Sequence, residues 1–118
     1  MNPNAKYAKP GRLPDEAVEL IAAELKVMAE PNRIRLMELL NKGDATVQEL
    51  ADQLVTTHQN VSKHLGVLYH AGFVSRKREG TSVRYSLIDW TGWWVVEQIG
   101  RNIAERLGSQ HQRLIAGS

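Results

Sequence analysis

Basic side chains are concentrated in one quarter of the chain. Residues 57–85 carry five lysines and arginines and one acid, a net charge of +4, whereas the whole chain of 118 residues sums to +2. A surface with this charge attracts an anionic partner, of which the phosphate backbone of DNA is a common one. Charge alone is equally consistent with a solvated basic face. The neighbouring side chains are therefore needed to distinguish an anion-binding surface from such a face.

Residues 58–68 have two chemically different helix faces. At about 100° per residue, Val61, Leu65 and Leu68 share one face. The opposite face carries polar or small residues that suit base edges in a major groove: His58, Gln59, Ser62, Lys63 and Gly66. Glutamine can pair with adenine, lysine can donate to guanine, and serine can bond a base or a phosphate. We interpret this segment as a DNA-recognition helix, the alternative being an ordinary solvated helix face.

A basic hairpin is predicted directly after this helix. Residues 74–78 and 83–87 alternate in polarity as two strands would, and residues 79–82 between them form a turn that contains glycine. Arg76 and Arg78 project from one face of the first strand and Lys77 from the other, while Arg84 lies on the second strand. We expect these cations to neutralise phosphates, and one arginine to be able to enter a minor groove.

Five helices are predicted to position these two elements. They are expected over residues 13–30, 31–41, 46–54, 58–69 and 89–107. Thr46 and Glu49 have the spacing of a capping box, which marks the start of the third helix. The predicted fold class is mainly α with a small β-hairpin, a winged helix-turn-helix. One domain over residues 13–108 lies between a mobile N-terminal tail, residues 1–12, and a C-terminal tail, residues 109–118.

The composition argues against several other function classes. The chain has no cysteine, which excludes disulfides, thiolate metal sites and thiol switches. No apolar run approaches the roughly eighteen residues of a membrane span, and the N-terminus lacks a secretory signal, so we expect a cytoplasmic protein. Since the chain has no glycine-rich phosphate loop and no nucleophile motif, we expect neither an enzyme nor a cofactor. His64 flanks the apolar stripe and is predicted to be packed or hydrogen-bonded.

These features predict a sequence-specific transcriptional regulator that binds double-stranded DNA. The two terminal helices carry more apolar surface than a monomer of this size can bury, which predicts a homodimer. Two-fold symmetry then implies an inverted repeat whose half-sites are about 10 bp, or a multiple of that, apart. The alternative function is a winged-helix protein-interaction module without specific DNA binding. A basic wing beside a polar recognition face favours DNA.

Several motifs, in order and at the right separations, resemble the ArsR/SmtB (arsenic-repressor-type) family of regulators. They are residues 29–40 (AEPNRIRLMELL), 61–68 (VSKHLGVL), 71–74 (AGFV), 78–80 (REG) and 85–87 (YSL). The resemblance covers roughly residues 20–90. It implies a homodimeric repressor whose first and last helices form the dimer interface, and which leaves DNA when an effector binds. Val55 stands where the family usually has a glycine, a departure that concerns the geometry of the turn.

The positions at which this family binds metal ions carry other residues in this chain. Two cysteines of the third helix are matched by Thr46 and Gln48. The ligands on the last helix are matched by Asp89, Thr91, Asn102 and Glu105, a set that lacks both histidines. Since these side chains make a poor site for Zn²⁺, Ni²⁺ or Co²⁺, we expect no metal site.

Three tryptophans, Trp90, Trp93 and Trp94, distinguish the last helix. Trp93 shares a side of this helix with Gly100 and Ala104, while Trp94 projects from a polar face. We favour packing at a dimer interface, because aromatic residues are enriched where large surfaces are buried. The alternative is an aromatic-lined pocket for a small organic effector.

Overall fold

The computed structural model describes residues 11–88 and 90–116, without the side chains of residues 90, 91 and 109–116. These residues form five helices and one small antiparallel sheet. In chain order the elements are α1 (Asp15–Met28), α2 (Pro31–Lys42), β1 (Ala45–Thr46), α3 (Val47–Leu54), α4 (His58–His70), β2 (Val74–Glu79), β3 (Ser82–Leu87) and α5 (Trp90–Ala116). The predicted fold class is confirmed. None of the helices in the described ranges has both the length and the apolar run that crossing a membrane requires.

Local side-chain caps explain where the middle helices begin. The carboxylate of Glu30 accepts the backbone N–H of Arg33, so it caps α2. At α3 the predicted capping box is present: Thr46 accepts the N–H of Glu49, and the Glu49 carboxylate accepts the N–H of Thr46. Each cap satisfies backbone donors that the first helical turn leaves unpaired. The helix-turn-helix is therefore held in register by short-range bonds.

The sheet has one strand more than the predicted hairpin. β1 pairs with β3, so that Ala45 lies opposite Tyr85 and Thr46 opposite Arg84, and the strand order is β1-β3-β2. A strand of two residues is too short to show an alternating pattern, which is why periodicity did not indicate it. Its consequence is that the wing is joined by hydrogen bonds to the start of α3.

The core lies where α2, α3, α4 and the sheet meet. The largest fully buried side chains are Leu36, Met37, Leu50, Val61, Leu65, Leu68 and Val74. Gly92 brings α5 against this core, because a Cβ atom at that position would lie 2.8 Å from the ring of Phe73. α4 and the wing thus share one hydrophobic core.

The terminal helices contribute much less to the core. Met28 is the buried residue of α1, while Leu20, Ile21 and Leu25 are between 45% and 64% exposed. On α5, Ile99 and Leu107 are also exposed. Two helices therefore present apolar surface that this chain does not cover itself.

α5 also extends beyond its predicted end. Gly108 has non-helical backbone angles (φ 76°), close to the end predicted near Leu107, but helical backbone continues to Ala116. Residues 110–116 are mostly good helix formers, so the helix resumes after the glycine. The predicted tail over residues 1–12 lies almost entirely outside the described residues.

Candidate nucleic-acid interface

α4 has the two faces that its sequence predicted. Val61, Leu65 and Leu68 are 1% exposed or less, whereas the other face presents exposed polar side chains. These exposed residues are His58, Gln59, Ser62 and Lys63. A Cβ atom added at Gly66 would have no neighbour within 4 Å, so this helix face is open at its centre. The arrangement leaves hydrogen-bonding groups free for an external partner.

The turn before α4 is tightly organised. The Thr57 hydroxyl accepts the N–H of Asn60 at 3.0 Å, and the Asn60 amide donates to the Thr56 hydroxyl at 3.2 Å. Val55 has a left-handed backbone (φ 53°, ψ 51°) and is 90% exposed. Since a β-branched residue rarely adopts this conformation, the turn stores about 1 kcal/mol or more of strain. The turn thus keeps the left-handed geometry that the family's glycine suits.

His64 connects the recognition helix to the junction of α1 and α2. Its side chain is buried, with Nδ1 3.6 Å from a Glu30 oxygen and 3.5 Å from an Arg33 nitrogen. Arg33 also donates from Nε to the Val27 carbonyl at 2.7 Å. A guanidinium can only donate, so Arg33 donates to Nδ1 when the neutral ring carries its proton on Nε2. His64 is 5% exposed, so the prediction of a packed side chain is confirmed.

We expect the free energy of unfolding to fall as the pH drops below about 6.5. Burial lowers the pKa of His64 from its ordinary value of 6.5, an effect that Lys63 and Arg33 reinforce and Glu30 opposes. The unfolded chain then binds more protons than the folded chain between the two pKa values. The contribution of His64 to the free energy of unfolding is complete above the pKa of the unfolded chain. It is lost as the pH falls towards the lower pKa of the folded chain. Urea unfolding at a series of pH values measures this.

Two histidine variants make this pH test specific. His64→Gln should flatten the decline, because a side chain that cannot titrate replaces the buried imidazole. His70→Gln, at an exposed position at the end of α4, should leave it unchanged. Identical pH profiles for the wild-type chain and His64→Gln would show that another group is responsible.

The wing's basic side chains divide between two faces. Arg76 lies opposite Tyr85 and Arg78 opposite Val83, whereas Lys77 lies opposite Arg84. The guanidinium of Arg76 stacks over the ring of Tyr69 on α4 at 3.9 Å, a cation–π contact. A hydrogen bond with Tyr85 raises the pKa of Arg76. Arg76 therefore helps to attach the wing to the C-terminal end of α4.

Arg84 is surrounded by acceptors of the protein itself. Its Nε donates to Glu79 at 3.0 Å, and its Nη1 lies 3.3 Å from the Asp44 carbonyl and 3.6 Å from Glu49. The hydrogen bond with Glu79 raises the pKa of Arg84. By contrast, Lys63, Lys77 and Arg78 have no carboxylate within 4.0 Å in the described part of the chain.

The described tryptophans differ in their surroundings. Trp93 is half-buried against the core, and its indole N–H has no hydrogen-bond partner among the described residues. It lines a cleft of about 630 Å³ between α2 and α5, together with Ile34, Gly100 and Ala104. Trp94 is 51% exposed. The side chain of Trp90 lies outside the described residues.

The positions that match the family's metal sites form no visible ligand cluster. Thr46 and Glu49 cap α3, and Gln48 donates to Asp52 at 2.8 Å. Asn102 and Glu105 are exposed on α5, while Asp89 and the Thr91 side chain lie outside the described residues. Among the residues whose side chains the structure describes, no group of three or more histidine, aspartate or glutamate residues could hold a metal ion.

Comparisons with known proteins identify the family. A family model described as a helix-turn-helix domain matches residues 28–76. The HTH-type transcriptional regulator Rv0081 from Mycobacterium tuberculosis is 41% identical over 70 residues, 58% of this chain and 61% of that protein. The biofilm growth-associated repressor from Agrobacterium fabrum is 36% identical over 83 residues, 67% of this chain and 71% of that protein. The chain belongs to the ArsR/SmtB family.

Solved structures share this fold. The crystal structure of Rv0081 is 30% identical, covers 80% of this chain and all of that one, and superposes with a TM-score of 0.69. A homodimeric winged helix-turn-helix DNA-binding domain from Mycobacterium bovis, Mb0332, shares the fold at 23% identity and a TM-score of 0.70 over 84% of this chain and 94% of that one. This ArsR/SmtB chain spans about three fifths of the length of the curated relative Rv0081.

Sequence reasoning missed the residues that hold the interface in place. Tyr69 supports Arg76, and Glu49 serves both the α3 cap and Arg84. The capping-box spacing had already identified Glu49 as structural. No sequence signal indicated that its carboxylate also faces the wing, because that contact joins positions 35 residues apart.

Proposed function

We propose that the chain is a sequence-specific DNA-binding repressor that acts as a homodimer on an inverted repeat in the cytoplasm. The observation that carries this proposal is the exposed polar face of α4, next to a basic wing whose Lys77 and Arg78 are unpaired within the described residues. An α-helix with such a face fits the major groove, and cations on the wing fit the flanking phosphates. Membership of a regulator family favours this over a protein-interaction module.

Exposed apolar surface on the terminal helices supports the homodimer. Val18, Ile21 and Leu25 are each about half exposed and recur on one side of α1. Covering such a stripe with a second copy would remove it from water, which is the main driving force for association. The Mycobacterium bovis domain that shares this fold is homodimeric. Two recognition helices related by two-fold symmetry would then read two half-sites.

The side chains of the interface have two different roles in this proposal. His58, Gln59, Ser62 and Lys63 on α4 face the bases. Lys77 and Arg78 neutralise phosphates, while Arg76, stacked on Tyr69, lies where the wing meets the recognition helix. Base contacts carry sequence information, whereas phosphate contacts carry none directly.

Gln59→Ala and Lys63→Ala are each expected to weaken binding to the preferred site by about 1–3 kcal/mol and to relax base preference there. The reason is that each removes a hydrogen bond to a base edge. Arg78→Ala is the matched control, because it should weaken all sequences about equally. Selection of binding sites from a random duplex library, with each variant, measures both effects. Altered base preference in Arg78→Ala alone would reverse these roles.

We also propose that a small organic molecule, and not a transition metal, releases the repressor from DNA. The cleft between α2 and α5 has a volume of about 630 Å³ and includes the apolar side chains of Ile34, Trp93 and Val96. This is the size of ordinary ligand pockets, which range from about 300 to 1,000 Å³. Because α5 carries both the cleft and exposed apolar surface, a ligand there could alter the spacing of the two recognition helices.

Tryptophan fluorescence tests the effector. A panel of small aromatic carboxylates should include compounds that quench the emission and lower DNA affinity at the same concentration, because Trp93 lines the cleft. If the tryptophans only pack the dimer, emission will change with protein concentration and ignore every compound. Release by micromolar zinc, reversed by a chelator, would contradict the metal-free mechanism.

A further inference from the structure

Arg84 lies where three segments of the DNA-binding region meet. Its guanidinium contacts Glu79 at the end of β2, the Asp44 carbonyl before β1, and Glu49 in the first turn of α3. We propose that Arg84 is a positioning residue that fixes the wing relative to α3 and α4, and that it does not contact phosphate. This inference rests on the proposed DNA binding and adds that the cations of the wing have different roles in it.

The contacts of Arg84 use separate nitrogen atoms. Nε donates to Glu79 at 3.0 Å, while Nη1 faces the Asp44 carbonyl at 3.3 Å and Glu49 at 3.6 Å. A guanidinium presents its donors in a rigid planar fork, so one side chain can hold two segments at a defined angle. A lysine ammonium is a single point on a flexible stem. Charge alone therefore does not reproduce this contact.

The same contact continues into the start of the helix-turn-helix. The Glu49 oxygen that faces Arg84 also accepts the backbone N–H of Thr46 at 2.8 Å, and Thr46 pairs with Arg84 across the sheet. These hydrogen bonds, together with the Arg84 pair, lower the pKa of Glu49, the bond from Thr46 being the largest cause. One carboxylate thus caps α3 and holds the wing.

The acids around Arg84 argue against a phosphate contact. Glu79 and Glu49 lie within 4.0 Å of its guanidinium, so they compensate its charge and would repel an approaching phosphate. Its cross-strand neighbour Lys77 has no carboxylate within that distance in the described part of the chain and is exposed. Phosphate binding therefore falls to Lys77 and Arg78, and Arg84 holds the strands that carry them.

Exchanging arginine for lysine separates geometry from charge. The probe is the DNA duplex that the wild-type chain selects from a random library. Arg84→Lys and Arg84→Ala should both bind it roughly tenfold more weakly, about the effect of losing one hydrogen bond to a charged group. The matched control Arg12→Lys makes the same exchange at an exposed arginine before α1, outside the proposed DNA interface, and should stay within about twofold of wild type. Thermal melting checks that each variant is folded.

Retention of wild-type affinity by Arg84→Lys, together with its loss in Arg84→Ala, would show that Arg84 acts through charge and would overturn the proposal. Hydrogen exchange on the free protein tests the attachment without DNA. Amides of Thr46 and of β3 should exchange faster in Arg84→Lys than in Arg12→Lys. Unchanged exchange would also overturn the proposal. If the wild-type chain selects no duplex, the proposed DNA binding fails, whereas the exchange data still decide whether Arg84 holds the wing.

Discussion

Raising the salt concentration from about 50 to about 200 mM should weaken binding of the preferred duplex by about a hundredfold. Lys77 and Arg78, the two wing residues assigned to phosphate, have no carboxylate partner in the described ranges and would make four phosphate contacts in a dimer. Each phosphate that they neutralise releases counterions, so log affinity should fall linearly with log salt, with a slope of about −3.6. Fluorescence anisotropy with a labelled duplex measures the slope.

Two alanine variants test the origin of this slope. Arg78→Ala removes one phosphate contact from each protomer, so the slope should become shallower by about 1.8 in the dimer. Lys26→Ala removes an exposed cation from the last turn of α1, outside the proposed DNA interface, and should not change the slope. A wild-type affinity that is indifferent to salt would refute phosphate-based binding altogether.

Placing charge on the apolar stripe of α1 should abolish tight DNA binding without touching the DNA-facing residues. Ile21 and Leu25 are each 45% exposed in the single chain, and the double substitution Ile21→Asp/Leu25→Asp would bury four charges, two from each protomer, in the proposed dimer interface. A monomer contacts only one half-site. It therefore loses the increase in affinity, about 10²–10⁴-fold, that comes from binding both half-sites at once. Sedimentation at micromolar concentration should show a monomer.

Ala23→Asp provides the control for this experiment. Ala23 is exposed and lies on the opposite side of α1 from Leu25. The same charge at this position should leave both the dimer and its DNA affinity intact. If the double variant remained dimeric, or if the monomer bound the full inverted repeat as tightly as the wild-type chain, the interface would have to lie elsewhere.

Local signals in the sequence predicted most of the fold. Helix periodicity and the Thr46–Glu49 capping box located α3, and the two faces of α4 appear as expected because both patterns depend on neighbours within one or two helical turns. β1 was missed because two residues carry no period. The helical backbone beyond Gly108 was missed because a glycine ordinarily ends a helix.

The candidate site was less predictable, because the sequence cannot distinguish one cation from another. All the lysines and arginines of residues 57–85 contribute equally to a net charge. In the folded chain Arg76 stacks on Tyr69 and Arg84 pairs with acids, while Arg78 has no carboxylate partner in the described ranges. Those differences depend on contacts between distant segments. No pattern of neighbouring residues encodes them.

The exposed turn at Val55 offers a direct way to observe the two recognition helices. The chain has no cysteine, so Val55→Cys would create a single reactive thiol at a 90% exposed position three residues before α4. Spin labels on both protomers of a dimer would then report the distance between the helix-turn-helix units by electron paramagnetic resonance. The spacing of the half-sites that the dimer can span becomes a measurable length, with and without DNA, in solution.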